Sequence, residues 1–378
     1  MNILISGGAG FIGSSLALRL VRDGHAVTVL DNLSQQVHGD DPARTSALYR
    51  SIAGIVRFIH GSVCDESVWG EALSDQDAVV HLVAETGTGQ SMYEIRRYTE
   101  VSIGGTALML GWLARNDHRV RRMVVASSRA AHGEGRYVEV DGTAVYPGPR
   151  RAEDLQAGRF EPLSARDGHA LRSVPTDEDS AIHPCSVYGI TKLNQEQMTM
   201  TVCPTSKIEP VALRFRNVYG PGQSLKNPYT GILSIFATRV LNGNAIEVFE
   251  GGLESRDFVF IDDVVESLCL GLFRPEAVGQ VFGIGSSVAT SVLAVARELT
   301  RCHSRDVPIK VTGAFRVGDI CHNCAHLGKA EGLLGFRPRT DFSSGLQAFS
   351  ERVPGQEIAE DTYDRSIREM RDKGLFNS

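Results

Sequence analysis

An α/β fold with a doubly wound parallel sheet and a smaller C-terminal lobe is predicted by three observations. Residues 3–32 pass from an apolar run through a glycine-rich turn and an amphipathic stretch into a second apolar run. Strand and helix signals then alternate as far as Phe215, and alternation of that kind requires crossover connections and therefore parallel strands. After Phe215 the chain breaks into short strands, helices and turns without a second glycine fingerprint, as expected of a lobe folded over the strand ends.

The first element carries the most information. Gly7, Gly10 and Gly13 lie between the apolar run and the amphipathic stretch, and the second apolar run ends at Asp31. In that setting Gly7 permits a tight turn, Gly10 lets the backbone approach a pyrophosphate, and Gly13 allows close packing of helix on strand. Phosphates would meet free N–H groups at a helix N-terminus, where the dipole favours negative charge. Asp31 would bond ribose hydroxyls and repel a 2′-phosphate, and residues 32–37, NLSQQV, offer no Arg or Lys to receive one. The expected cofactor is therefore NAD. The competing reading is a strand–helix turn whose glycines serve packing alone.

The remaining elements follow in order. Residues 56–60 form a strand, 65–73 a helix, and 78–82 a strand entering a glycine-rich turn. Residues 94–113 carry a long helical pattern, and 122–126 form a buried strand that ends at Ser127 and Ser128. Ligands in such sheets bind outside the carboxyl ends of the strands, so chemistry is expected there. Residues 133–184, rich in Gly, Pro, Arg and Asp, hold no periodic element; they read as a long surface excursion suited to a lid or an oligomer contact. A helix resumes over 186–202, followed by a strand at 211–215. Segments 216–255 and 286–345 belong to the lobe, with strands at 257–261 and 281–284 rejoining the main domain. Residues 356–375 are charged and helical, a pattern typical of a solvated terminal helix. The domain division is thus 1–215 with 256–285 for the cofactor, and 216–255 with 286–378 for substrate.

Composition narrows the partners. A net charge of −6 leaves no electrostatic footprint for nucleic acid. No apolar run reaches the about 18 residues a membrane span needs, and no leader pattern precedes the first strand, so a cytoplasmic protein acting on a small molecule is expected. Seven scattered cysteines do not form a disulfide framework. The CHNCAH run at 321–326, with Cys302 and His303 upstream, lacks a convincing second ligand pair for structural zinc, and no metal is expected.

Tyr188 and Lys192 are four residues apart at the start of a helix, on one face. A neighbouring ammonium favours the phenolate and makes tyrosine usable as a general base. With GGAGFIG at 7–13, DNLS at 31–34, SSRAAHG at 127–133, YGITK at 188–192, RFRNVYGPGQ at 214–223, RDFVFIDDV at 256–264 and RVGD at 316–319, the chain resembles the extended short-chain dehydrogenase/reductase family, in its nucleotide-sugar branch. The resemblance implies that Ser128 hydrogen-bonds the reacting hydroxyl, Tyr188 moves its proton, and Lys192 holds the nicotinamide ribose. It implies cofactor contacts from Gly7, Gly10, Phe11, Ile12, Gly13, Asp31, Asn32, Leu82, Val83 and Ala84 as well as Tyr188 and Lys192. On the substrate side it implies Thr86 and Ser128 at the sugar, Asn217, Arg256 and Arg316 at the diphosphate, Asp319 at the nucleotide ribose and Phe249 against the base.

The same resemblance separates reactions. Dehydratases of this branch place Asp-Glu directly after the serine or threonine, 3,5-epimerases a cysteine at the place of Ala130, and decarboxylases a glutamate there; this chain has Arg129 and Ala130. A 4-epimerase needs only Ser128, Tyr188, Lys192 and tightly held NAD, and is the expected activity. A dehydrogenase or ketoreductase with net redox, or a binding module without turnover, is the alternative. Ser224 stands where relatives acting on glucuronic acid carry arginine, which favours a neutral hexose. The runs AETGTGQSMYEIRRY at 84–98, NPYTGILSIF at 227–236 and GDICHNCAHLGKAEGLLGF at 318–336 resemble the dTDP-L-rhamnose 4-epimerase group, with His132, Ser102 and Cys321 as departures and no Cys-x-x-Cys pair at 164–169. Relatives often form homodimers through helices that correspond here to 94–113 and 186–202.

Overall fold

The computed structural model describes residues 1–225, 231–316, 318–352 and 363–377. Residues 227–230 of the NPYTGILSIF run, Val317 of the RVGD motif and 356–362 of the terminal stretch lie outside the described residues.

Seven strands form the main sheet: β1 (Asn2–Ser6), β2 (Ala26–Asp31), β3 (Arg57–His60), β4 (Ala78–His81), β5 (Arg122–Ser128), β6 (Glu209–Phe215) and β7 (Val281–Ile284). Their spatial order is β3-β2-β1-β4-β5-β6-β7, and every neighbouring pair is parallel. The order reverses between β1 and β4, the switch point at which such sheets open a crevice. Successive residues of β1 explain why both faces are covered: Ile3 and Ile5 join Leu16 and Leu20 of α1 (Phe11–Arg22), whereas Leu4 joins Trp69, Met109 and Met123 on the other face.

The long pattern at 94–113 is helical from Ile95 to Arg115, but Thr99–Gly104 is wound as a π-helix. Period reading cannot see such a bulge, because one inserted residue leaves the apolar spacing nearly unchanged. The predicted helix at 186–202 is α2 (Val187–Val202), started by the Ser186 hydroxyl, which accepts the Gly189 N–H at 3.1 Å.

Three expectations are corrected. The strand expected at 257–261 spans Ser255–Phe260 and does not rejoin the main sheet; it pairs parallel with Asn217–Tyr219 and antiparallel with Ala289–Ser291. The return to the main domain is made by the helix that follows, Ile261–Phe273, which lies against α1 and is tied there by Arg19 and Glu266 at 3.0 Å. The strand at 281–284 does rejoin the sheet, as β7.

The excursion at 133–184 is structured. Tyr137–Val138 pairs with both Ala144–Val145 and Arg172–Ser173, and Ala152–Gln156 forms a short helix. Tyr137, Leu155 and Leu171 are buried. Two-residue strands have no period to detect, so this organisation comes from long-range contacts.

The terminal helix α3 (Tyr363–Asp372) is not fully solvated. Tyr363, Ser366, Ile367 and Met370 face inward, and Tyr363, Ile367 and Met370 cluster with Ala314 and Phe376. Beyond it, Phe376–Asn377 pairs antiparallel with Phe315–Arg316. Among the described residues no helix is long and apolar enough to cross a membrane.

Candidate functional site

A cavity of about 470 Å³ opens along the carboxyl ends of the strands. It is lined at one end by Gly7, Gly10, Phe11, Ile12, Gly13, Asp31 and Asn32, in its middle by Leu82, Val83, Ala84 and Thr86, and at the other end by Ser128, Tyr188, Lys192 and Asn217. All the residues expected around the cofactor therefore share one wall system.

The glycine turn has the shape expected of a pyrophosphate cradle. Gly7 adopts φ +74°, and a Cβ there would meet the Val83 backbone nitrogen at 3.0 Å. A Cβ on Gly13 would stand 2.5 Å from the Gly7 oxygen and the Gly8 Cα, so helix and turn touch through bare backbone. Gly10 caps α1 without a side chain, and within the helix the Ser14 N–H is the first to turn back, to the Gly10 oxygen at 2.9 Å. The N–H groups of the first helical turn, Phe11 to Gly13, are left for a ligand.

Asp31 is held for its task. Its Oδ2 accepts the Ala9 N–H at 3.0 Å and its Oδ1 the Leu33 N–H at 2.9 Å. The group facing it, His38, is 4.0 Å away and buried, and burial lowers its pKa so that it stays neutral. A 2′-phosphate would meet a carboxylate and no cation here. The residues present fit NAD.

The reacting end is assembled by close packing of α2 on the turn after β5. A Cβ on Gly189 would approach the Ala130 oxygen to 2.6 Å, so only glycine lets the helix come this near. That contact sets Tyr188 beside Ser128. The Tyr188 N–H donates to Ser91 Oγ at 3.1 Å, and Ser128 Oγ accepts the Ala130 N–H at 3.2 Å. Burial raises the Tyr188 phenol, while the neighbouring Ser128 hydroxyl and Arg129 guanidinium act the other way. Burial pushes Lys192 down to about 7, opposed by Glu196, and its Nζ donates to Gln195 Oε1 at 2.8 Å.

Two buried polar networks behind this end were not read from the sequence. Gln195 Nε2 donates to the Val83 oxygen and Thr106 Oγ1, each at 3.0 Å; Thr106 donates to the Ser102 oxygen at 2.5 Å. His81 Nε2 therefore donates to Thr106 at 2.9 Å and its Nδ1 accepts from Ser6 at 2.7 Å, and burial pushes the ring down to about 3. In the second network Glu196 binds Arg214 through both oxygens at 2.6 and 2.9 Å and accepts from Ser127 at 2.6 Å. Arg214 in turn donates to His132 Nε2 at 3.0 Å, which explains why a histidine is accommodated there. Glu196 follows Tyr188 by eight residues on the same helix, the one local signal that could have found it.

On the substrate side the expected residues divide. Thr86 and Asn217 line the main cavity; Asp319 lines a small adjoining one with Gly318, Ile320 and Cys185. Arg256 reaches this region but spends its donors on the carbonyls of Ser255, Cys321 and Ile320 at 2.8 to 3.0 Å, with Asp319 Oδ1 at 3.5 Å. Its observed contact is to the 319–321 loop. Arg316 lies 4.9 Å from the ring centre of Phe249, and Phe249 also packs against Tyr363 and Phe376. Phe249 thus belongs to the edge of the terminal cluster.

The excursion supplies walls to this side. Arg150 binds Glu250 at 2.6 and 2.9 Å and Glu134 at 3.2 Å, all three nearly fully buried, and donates to the backbone oxygen of Asp319 at 3.0 Å. Glu134 also accepts the Cys321 N–H at 2.8 Å. From the CHNCAH run, Cys321 and His322 converge with Glu161, their ligand atoms within 4.8 Å of one another, whereas Cys324 and His326 point elsewhere. His322 Nε2 donates to Glu161 at 2.9 Å and its Nδ1 accepts from Ser255 at 2.8 Å, so both ring nitrogens are engaged.

Comparison with known proteins gives a consistent picture. The model of the NAD dependent epimerase/dehydratase family matches residues 3–285. A dTDP-L-rhamnose 4-epimerase of Burkholderia thailandensis is 38% identical, over 91% of this chain and 93% of that protein. A UDP-glucose 4-epimerase of Thermotoga maritima, solved with UDP-glucose, superposes with a TM-score of 0.74 at 27% identity and covers 94% of this chain and 99% of its own. A UDP-glucuronic acid 4-epimerase of Bacillus cereus, solved with its nucleotide sugar and NAD, shares the fold with a TM-score of 0.75 at 23% identity, over 94% of this chain and 100% of its own.

Proposed function

Because the chain belongs to the NAD dependent epimerase/dehydratase family, we propose that it is a 4-epimerase of nucleotide sugars that retains its NAD through the reaction. The observation that carries this reading is the composition of the reacting end: Ser128, Tyr188 and Lys192 meet there, and the carboxylates that line the main cavity stand apart from them in function. Asp31 is at the glycine end, and Glu85 is paired with Arg97 at 2.8 Å. A site with a proton-transfer tyrosine and, among the described residues, no carboxylic acid beside it is equipped to move hydride and proton at one carbon, and not to eliminate water.

When bound, NAD supplies a reversible hydride acceptor facing the sugar. Tyr188 takes the proton of the carbon-4 hydroxyl and returns it, Ser128 donates a hydrogen bond to the same oxygen, and Lys192 supplies positive charge that favours the phenolate. Lys192 is preoriented by Gln195. Asn217 in the cavity wall and Arg316 beside Phe249 would hold the diphosphate and Asp319 the nucleotide ribose, since arginine presents a planar fork to phosphate oxygens and aspartate accepts from ribose hydroxyls. The similarity to a dTDP-L-rhamnose 4-epimerase makes a dTDP-6-deoxyhexose the first substrate to try. Ile95 and Ile190, exposed on the two helices expected to form a dimer, support a homodimer, which light scattering would test.

Incubation of the purified protein with dTDP-L-rhamnose, dTDP-glucose and UDP-glucose, without added NAD, should give an equilibrium of two sugars differing at carbon 4. Net accumulation of NADH with release of a keto sugar would transfer the assignment to an oxidoreductase.

A further inference from the structure

We propose that Arg129, the residue after Ser128, is an anion clamp that pairs with an anionic oxygen at the sugar end of the substrate, the sugar-proximal phosphate being the group it meets. The inference rests on the nucleotide-sugar reading above and adds a residue to it.

Arg129 opens the short turn Arg129–His132 at the end of β5. The residue lines both the main cavity, with Ser128, Tyr188 and Lys192, and the small one, with Thr88, Cys185, Asp319 and Ile320. It therefore spans from the reacting end to the residue expected at the nucleotide ribose. In a nucleotide sugar the diphosphate is the segment that joins those two points, and its sugar-proximal phosphate is the anion adjacent to the reacting ring.

Four neighbouring arginines have fixed partners; among the described residues Arg129 has none, and Arg316, also without a hydrogen bond, lies over the Phe249 ring and lines neither cavity. Arg150 is paired with Glu134 and Glu250, Arg256 with three carbonyls, and Arg214 with Glu196. Arg216 donates to the Thr176 oxygen at 2.9 Å. Among the described residues the Arg129 guanidinium makes no hydrogen bond and no ion pair, although the residue is partly buried. Burial and the nearby Arg256 lower its pKa; Asp319, Cys185 and Tyr188 act the other way without pairing with it. A partly buried guanidinium that faces a cavity without a partner is free to take up an anion, and a planar fork of five donors is suited to phosphate or carboxylate oxygens. A phosphate fixed in this way serves as the pivot about which a flat keto sugar can turn while its nucleotide stays in place. Arg129 also supplies a positive charge beside Tyr188, so it would favour the phenolate only as the substrate anion leaves part of that charge uncompensated.

The test is calorimetric titration of the NAD-loaded enzyme and of R129Q and R129K with dTDP, dTMP, UDP-glucose and UDP-glucuronate. R129Q is expected to weaken dTDP by about tenfold or more while dTMP binding and NAD retention stay unchanged, because a charge-assisted pair is lost at the second phosphate only. R129K should recover part of the loss. If R129Q instead weakens UDP-glucuronate alone, the anion clamped is a sugar carboxylate and the phosphate assignment is replaced. Equal affinities of all three proteins for all four ligands would overturn the clamp while leaving the epimerase reading intact; a wild-type enzyme that binds none of the four overturns both. Should R129Q lose its NAD, R129K decides, since a clamp predicts weaker dTDP against unchanged dTMP and a structural role predicts equal losses.

Discussion

Glu254 holds a buried carboxylate oxygen, Oε2, without a hydrogen-bond partner, and burial pushes its pKa from 4.5 up to about 7. Between those two values the folded protein binds a proton that the unfolded chain has released, so stability falls as pH rises through that window and the penalty is complete above it. Glu254→Gln removes the titration. Relative to wild type it should raise the unfolding midpoint at pH 8 by up to about 3 kcal/mol equivalent and have little effect at pH 4, as read from urea denaturation at the two pH values. Equal shifts at both would show that the carboxylate is not the cause. Tyr188→Phe acts on chemistry instead: removing the proton-transfer group should lower kcat by about 10³-fold with NAD retention unchanged, checked by turnover and by absorbance of the cofactor carried through purification. The residues behind these two predictions differ in how they could be found. Tyr188 and Lys192 sit in one helical turn and declare themselves by spacing. Gln195 and His81 meet, and Glu254 is buried elsewhere in the molecule, only when strands and helices far apart in the chain are packed together, and no local pattern marks them.

The element that the sequence describes best is the first one, and its geometry makes a sharp prediction. A Cβ on Gly13 would lie 2.5 Å from the Gly7 oxygen and the Gly8 Cα, both backbone atoms that cannot rotate away. Gly13→Ala must therefore push α1 off the turn, and both stability and NAD occupancy should fall together, by about 1–3 kcal/mol in unfolding free energy. An NAD content equal to wild type would contradict the cradle. The main sheet was legible for the same reason, since each strand is a short apolar run between turn signals. The excursion was not. Its strands are two residues long, and what holds it is the buried set of Arg150, Glu134 and Glu250, contributed by residues up to about a hundred positions apart. Arg150→Met leaves two buried carboxylates without their cation, and should cost about 3–5 kcal/mol, measured by urea denaturation, although methionine fills similar space. A loss below 1 kcal/mol would mean that the excursion is held by packing alone. The strand expected at 257–261 to rejoin the main domain pairs in a separate three-stranded sheet, because a strand signal carries no information about which sheet it joins.

At the scale of the whole molecule, the glycine end of the cleft comes from the first half of the chain, and residues near 376 lie against the lobe to which the substrate contacts are assigned here. Phe376–Asn377 pairs with Phe315–Arg316, so a segment near residue 376 backs the strand that carries a cation expected at the diphosphate. The pairing is anchored by Phe376, which is buried against Phe249 at 5.1 Å between ring centres and lies in the cluster made by Tyr363, Ile367 and Met370. The charged terminal stretch was expected to be solvated because its polar face dominates its composition. Its four inward residues recur at 363, 366, 367 and 370, the spacing of one helical face, and that face is enough to dock it. This division of labour predicts a separable phenotype. Phe376→Ala removes the anchor of a two-stranded edge at the periphery, and not of the seven-stranded sheet, so it should leave NAD retention and the main unfolding transition nearly unchanged. Hydrogen exchange at 315–316 and 363–377 should rise, and KM for the nucleotide sugar should increase by several-fold, because Arg316 and Phe249 lose the surface that fixes them. If KM is unchanged while exchange rises, the terminal helix stabilises the lobe without shaping the substrate site. If NAD retention falls as KM rises, the two ends of the cleft are coupled through the sheet, and the cofactor and substrate halves do not act independently.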